Sequence, residues 1–496
     1  MLSRDVKNIV KIPWKRWGSR RTTIRWAEHF TTCTLNFSKF FGINFPDQLV
    51  LAKNEIAQCY INKNQLNKIL PQLLKKLYRI SFEKLYENQA QNILPDFLSY
   101  CKKFNQKSLQ NLSNSQLLKL FNNFLTKEDN FNNFLWIIFI IDDYFCKELE
   151  KKLKKYLEER EDEDKFKNFF DAILSPEKKS AIFQQTLDIL KVAAAIKDKK
   201  ISDNKAKIEI KNLVKKYAYF NIINFDEKPL TENYLKNEVN KIVKNKNINP
   251  GKEIKKINNQ FVNSHRQFIK IKKYIKNDKK LLKLAEACHK ITYYREYRND
   301  IRRESYFYAR QLYIEIANRL KLKLSDLLFL TREEIRQSLI EANLTVNYKK
   351  IQERKKYFGL LLLNKKLYFI FNKKDITSLL SIIEPEIMVK DFRGTIANQG
   401  KVIGKAKIIF SPSKDGHKLK KGDILVTSMT NLDFIPLMSK AAAIVTDEGG
   451  LLCHAAIISR EMKKPCIVGT NIATKVLKDN DKILVNANHG VIKIIN

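Results

Sequence analysis

Apolar positions change their spacing part-way along the chain. Over most of its length they recur every three or four residues, the step of an amphipathic helix. Leu73, Leu74, Leu77 and Ile80 keep that step behind Pro71, which suits the first turn of a helix. Ser115 reads as an N-cap ahead of a second such run ending at Leu125. Phe134 to Ile141 is apolar throughout, and Asp142 and Asp143 are expected to end that helix. Between Gly251 and Gly359 there is neither Gly nor Pro, so long helices are expected, one with the stripe Tyr306, Ala309, Leu312, Tyr313, Ile316, Ala317 and Leu320. Tyr357 to Phe371 has strand character around an Asn364-Lys365 turn. The glycines divide unevenly: four in residues 1–393 and nine in 394–496, where short apolar strands alternate with Gly and Asp. The pattern predicts a multidomain chain, with a large all-α N-terminal region followed by a compact C-terminal α/β domain. The expected bounds are 1–330 helical, 331–388 a connecting region with some strand, and 389–496 the α/β domain.

The most informative stretch is Thr446 to Gly469. An apolar run, Ala441 to Val445, ends at Thr446, and Gly449 and Gly450 follow. Then comes His454 at the start of a short helix, and Pro465 opens the next strand. Glycines permit φ > 0 and close backbone approach. A helix N-terminus presents unpaired N–H groups and the positive end of a dipole, which favours an anion. A neutral imidazole there can attack phosphorus, and the phosphohistidine is stabilised where it forms. The plainer alternative is a histidine capping a helix in an ordinary α/β domain. Cys453 reads as a small packing residue.

Gly449-Gly450-Leu-Leu-Cys-His454-Ala-Ala-Ile-Ile-Ser-Arg460 resembles the phosphohistidine signature of the swivelling, or mobile, domain of phosphoenolpyruvate (PEP)-utilising enzymes. That family includes PEP synthase, pyruvate phosphate dikinase and rifampicin phosphotransferase. Gly394 to Ala406, Asp423 to Thr430 and Asp433 to Met438 are similar to its earlier strands and loops. Many members carry Thr two residues before the histidine. This chain has Leu452, as in the rifampicin-phosphotransferase branch. Arg295 to Thr331 resembles the helical substrate-binding region of rifampicin-phosphotransferase-like and PEP-synthase-like proteins.

The resemblance implies that His454 carries the phosphoryl group, with Thr446, Gly449, Gly450 and Cys453 supporting the phosphate loop. It implies Mg²⁺ during transfer, brought with nucleotide or PEP. No P-loop or GxGxxG occurs in the chain. The nucleotide site is therefore expected either on a separate ATP-grasp kinase subunit or to have been lost, with a small-molecule acceptor bound here.

Arg295, Arg298 and Arg302 fall at i, i+3 and i+7 on one helix face. Three guanidiniums so placed bind a phosphate or carboxylate, or else form an ion-pair lattice with Glu296, Asp300 and Glu304. Trp14, Trp17 and Trp26 with Arg16, Arg20, Arg21 and Arg25 make the N-terminus either a phosphate-binding arm or an aromatic-anchored segment.

Charge adds little. The net charge is +40, of which +7 falls from Gly394 onward (15 Lys+Arg against 8 Asp+Glu) and +33 before it. Lys, Asn and Ile are high together throughout, which suits compositional drift, and no arginine-rich tract appears. Nucleic acid is accordingly not expected as a partner. Seven scattered cysteines without a CxxC argue against a structural metal and fit a reducing, cytoplasmic setting. The longest apolar run, Phe134 to Ile141, is too short to span a bilayer. The expected function is phosphotransfer through a histidine, a kinase- or dikinase-like activity. The alternative is a non-catalytic binding or regulatory protein that keeps the swivelling fold.

Overall fold

The computed structural model describes residues 8–104, 106–176, 178–245, 247–384, 389–430, 434–450 and 453–495, apart from the side chains of 106, 107, 260, 413 and 461. The N-terminal region is mostly helical but not all-α. It contains a five-stranded antiparallel sheet in the order β1-β3-β2-β4-β5. The strands are β1 (Trp14–Arg21), β2 (Gln48–Lys53), β3 (Ile56–Asn62), β4 (Tyr357–Leu363) and β5 (Lys366–Ile370). The strand-bearing stretch expected to be a connector thus completes a sheet begun some 300 residues earlier, with β2 pairing β4 from Gln48↔Leu362 to Lys53↔Tyr357. Two tight turns close its hairpins. Asn54 and Glu55 (φ 51 and 62) and Asn364 and Lys365 (φ 51 and 64) all take left-handed backbone. Such turns favour Asn-Gly, so the first pair gives no sequence signal.

Helix α1 (Ile24–Thr32) packs on this sheet, and the long helices α2 (Asn114–Glu158) and α3 (Lys279–Arg319) pack against each other. Helix α2 runs 45 residues behind a Ser113–Gln116 capping box, so Asp142 and Asp143 lie within it rather than at its end. Its stretch from Phe131 to Leu135 is buried all round, which makes it the axis of the helical platform. The expected stripe on α3 is buried against it. Pro71 also sits inside a helix, Lys63–Phe82, which starts at the Asn62 cap.

The C-terminal unit is one eight-stranded sheet in the order β6-β13-β12-β8-β9-β10-β11-β7. Its strands are β6 (Asp391–Arg393), β7 (Thr395–Asn398), β8 (Lys401–Ile408), β9 (Ile424–Thr427), β10 (Ala443–Thr446), β11 (Cys466–Val468), β12 (Lys482–Asn486) and β13 (Val491–Ile494). The outermost strands β6 and β7 are separated only by Gly394, so the sheet curls until its edges meet. A Cβ on Gly394 would stand 2.7 Å from the Val468 carbonyl oxygen, which explains the glycine at this seam. One face buries Val426, Val445, Ile467 and Ile483. The other buries Leu425 and Ile444 beneath helix α4 (His454–Glu461), whose Ala455 and Ala456 pack into the same cluster.

Candidate functional site

Strands β9 and β10 are parallel, with Thr427 paired to Thr446, so their C-terminal ends open on one rim. The chain leaving β10 is held by Asp447, which is fully buried. Asp447 Oδ1 accepts from Thr470 Oγ1 and the Thr474 amide, both at 3.1 Å. Thr446 Oγ1 donates to the Glu448 carbonyl at 2.7 Å, so this hydroxyl braces the turn. Gly449 follows at φ +109, and a Cβ there would fall 2.7 Å from Cys453 Sγ. Gly449→Ala should therefore destabilise the C-terminal unit by about 1–3 kcal/mol. A thermal midpoint unchanged from wild type would contradict this.

Cys453, in extended backbone, is the N-cap residue of α4, and its amide donates to the Gly450 carbonyl at 3.1 Å. Burial pushes its thiol up, against the Ala456 and Ala455 amides and Arg295. His454 is the first residue of the helix. Its Nδ1 lies 2.9 Å from Thr430 Oγ1, and its Nε2 is buried with no hydrogen-bond partner among the described residues. Burial lowers the imidazole to about 4, with Arg295 and Arg303 acting in the same direction against Glu296. The ring is neutral at neutral pH.

These neighbours belong to the helical platform. Arg295 Nη1 donates to Asp142 Oδ2 at 3.0 Å, and its Nε lies 3.7 Å from Glu296. Gly450 faces Asp143: a Cβ on it would be 3.4 Å from Asp143 Oδ1. Of the alternative ion-pair lattice along α3, the Arg295–Glu296 contact forms, while the other two carboxylates pair elsewhere. Asp300 pairs with Arg303 at 3.3 Å and Glu304 with Lys102 at 2.7 Å. Arg298 donates to the Leu135 carbonyl and Arg302 lies 6.0 Å over the Phe30 ring. Neither has an ion-pair partner among the described residues. Burial lowers Arg298 to about 10 and Arg302 to about 9.

Strand β1 supplies contacts that the sequence reading did not assign. Its register shifts between Arg16 and Gly18, a bulge that re-aims the side chains around Trp17. Arg16 Nη2 donates to Asp447 Oδ2 at 2.9 Å and to the Asn471 carbonyl at 2.6 Å. Glu448 and Glu384 both lie 3.8 Å from the same guanidinium, and Lys475 binds Glu384 at 2.9 Å. Ser428 donates to the Ser19 carbonyl, and Arg20 Nη2 meets Met429 Sδ at 3.1 Å. Thr430 was likewise missed as a site residue, although it closes a segment that resembles the family. Leu452 and Asp433 lie outside the described residues. A cavity of about 720 Å³ opens at the opposite pole, before β9 and β10, among Lys420, Lys421, Lys440 and Lys464. It is remote from His454.

Residues 419–490 match the mobile domain of PEP-utilising enzymes. The chain is 51% identical over 109 residues to a probable PEP synthase of Archaeoglobus fulgidus, covering 22% of this chain and 14% of that one. It is 47% identical over 116 residues to a probable PEP synthase of Staphylothermus marinus, covering 23% and 14%. It is 41% identical over 109 residues to the PEP synthase of Escherichia coli, covering 20% and 14%. The chain thus spans about 14% of the length of the curated relatives it matches. No helix among the described residues is long and apolar enough to cross a membrane.

Proposed function

We propose that the chain is a histidine phosphocarrier joined to its own acceptor platform. Nε2 of His454 attacks the phosphorus of a donor, and the donor's P–O bond breaks. An acceptor oxygen on the platform then attacks the phosphorus, and the Nε2–P bond breaks. The acceptor's proton leaves to a carboxylate, and Glu296 is the one with the largest effect on the ring. The observation that carries this reading is the state of the imidazole. Thr430 Oγ1 is within hydrogen-bond distance of Nδ1, and we assign the proton there; Nε2, buried with no hydrogen-bond partner among the described residues, then keeps its lone pair. Arg295 and Arg303 supply positive charge where the transferred oxygens would gather. The names of the relatives support the same chemistry.

Mg²⁺ ordinarily assists such transfers. Asp142 is engaged by Arg295 and Asp143 by Lys147 at 2.6 Å, and no three metal-ligating side chains gather among the described residues. The described residues of this chain do not fit a Mg²⁺ site, and neither step is routed through one here. The donor is proposed to sit on a separate nucleotide-binding polypeptide of the ATP-grasp type. Incubating the chain with such a subunit and β- or γ-labelled ATP tests this: acid-labile label on the chain is expected, and its absence with every donor, PEP included, would end the proposal.

Docking also makes a pH prediction. An imidazole lowered from 6.5 to about 4 is favoured in its neutral form by the docked fold. That contribution is complete above 6.5 and is lost as pH falls toward 4. The Cε1–H resonance of His454 should titrate near 4. A midpoint near 6.5 would place the ring in water instead.

A further inference from the structure

The platform wall that meets the mobile domain carries donors without acceptors. Nε of Arg20, Arg298 and Arg302 and Nε1 of Trp17 are buried with no hydrogen-bond partner among the described residues. Arg298 is 6% exposed, Arg302 9% and Trp17 8%. They come from β1 and α3 and are stacked together. Arg20 lies 4.8 Å over Trp26, Trp26 stacks on Phe30 at 4.4 Å, and Arg302 lies 6.0 Å over the far ring. Among the described residues none of the three arginines has an ion-pair partner. Glu448 acts on Arg20 only at a distance and stands 3.8 Å from Arg16. Aromatic faces offset only part of what burying a guanidinium costs, and Arg20, Arg298 and Arg303 all repel Arg302. Such a cluster is completed by an anion.

The charges that act on His454 are Glu296, Arg295 and Arg303, so the three arginines without ion-pair partners make a positive zone apart from that set. Next to it Phe139, 39% exposed, meets Trp17 at 5.3 Å and offers an apolar surface to a carbon frame.

We propose that Arg20, Arg298 and Arg302, with Trp17 Nε1, seat a phosphate or carboxylate that the phosphoryl acceptor itself carries. The acceptor is then an already anionic small molecule, not a neutral alcohol. This rests on the phosphocarrier reading for its biological meaning, but the seat is testable without it. Isothermal titration calorimetry on the full chain, at fixed ionic strength in chloride, uses pyrophosphate, inorganic phosphate and citrate as probes. Saturable one-site binding is expected, with the phosphates or the tricarboxylate preferred according to which group the acceptor bears. Arg302→Gln and Arg298→Gln should each weaken it at least tenfold, and Arg302→Lys less. His454→Ala should bind as wild type does, so a failed carrier and a failed seat are read separately. Should Arg302→Gln not fold by circular dichroism, Arg20→Gln, at the half-buried edge, decides. No saturable heat with any probe, or undiminished affinity in the arginine variants, overturns the proposal.

Discussion

His454→Ala takes up no acid-labile phosphate under conditions that label the wild-type chain. The expected loss is complete, down to background, because the substitution removes the only atom proposed to bond phosphorus. The P–N bond is labile in acid and stable in base, so the label itself reports the type of linkage. Thr430→Val separates attack from orientation. It keeps the ring but removes the partner of Nδ1, 2.9 Å away. Loss of one such hydrogen bond, worth about 1 kcal/mol, should slow labelling by about five- to tenfold. Equal labelling of His454→Ala and wild type would dismiss the carrier, whatever the second variant does.

Arg25→Leu should destabilise the helical platform by about 3–5 kcal/mol in urea denaturation. Arg25 lies between Glu128 and Tyr313, whose hydroxyl is 3.1 Å from its Nε, with its guanidinium 4.2 Å over the Phe225 ring. Burial raises the Glu128 carboxyl, but Arg25 and His29 outweigh it and hold the group at about 2. Its contribution is therefore present above pH 4.5 and lost as pH falls toward 2. Without Arg25, the buried carboxylate keeps His29 Nδ1, 3.1 Å away, and the more distant charge of Arg332. The double variant Arg25→Leu/Glu128→Leu should recover most of the loss, since it leaves no unpaired charge. A single variant within about 1 kcal/mol of wild type would show that the ion pair does not hold α1 in place.

The C-terminal unit was legible because its rules are local. Short strands, glycine turns and a helix-leading histidine all fall within one continuous stretch. Helices α2 and α3 were legible from their apolar period, although α2 runs on through Asp142 and Asp143, whose carboxylates lie off the buried face and are engaged by Arg295 and Lys147. The N-terminal sheet was not legible. Its β1 is a charged edge strand, its first hairpin turns through Asn54-Glu55 without a glycine, and its fourth strand arrives from residue 357. The docking residues were hidden for the same reason: Arg16 meets Asp447 across 431 positions of sequence. Arg295, Arg298 and Arg302 were visible as a face, but their separation into paired and unpaired cations depends on what α2 and β1 bring against them.

The covered Nε2 of His454 has a consequence for speed. If His454 carries the phosphoryl group as proposed, a nitrogen buried in this way cannot at that moment greet a donor held by another protein, so each cycle includes a journey. If departure from the platform sets the pace, turnover follows solvent viscosity, and glycerol slows the protein without altering any chemical barrier. Arg16, gripping Asp447 and the Asn471 carbonyl, then acts as a governor: the firmer the hold, the slower the shuttle.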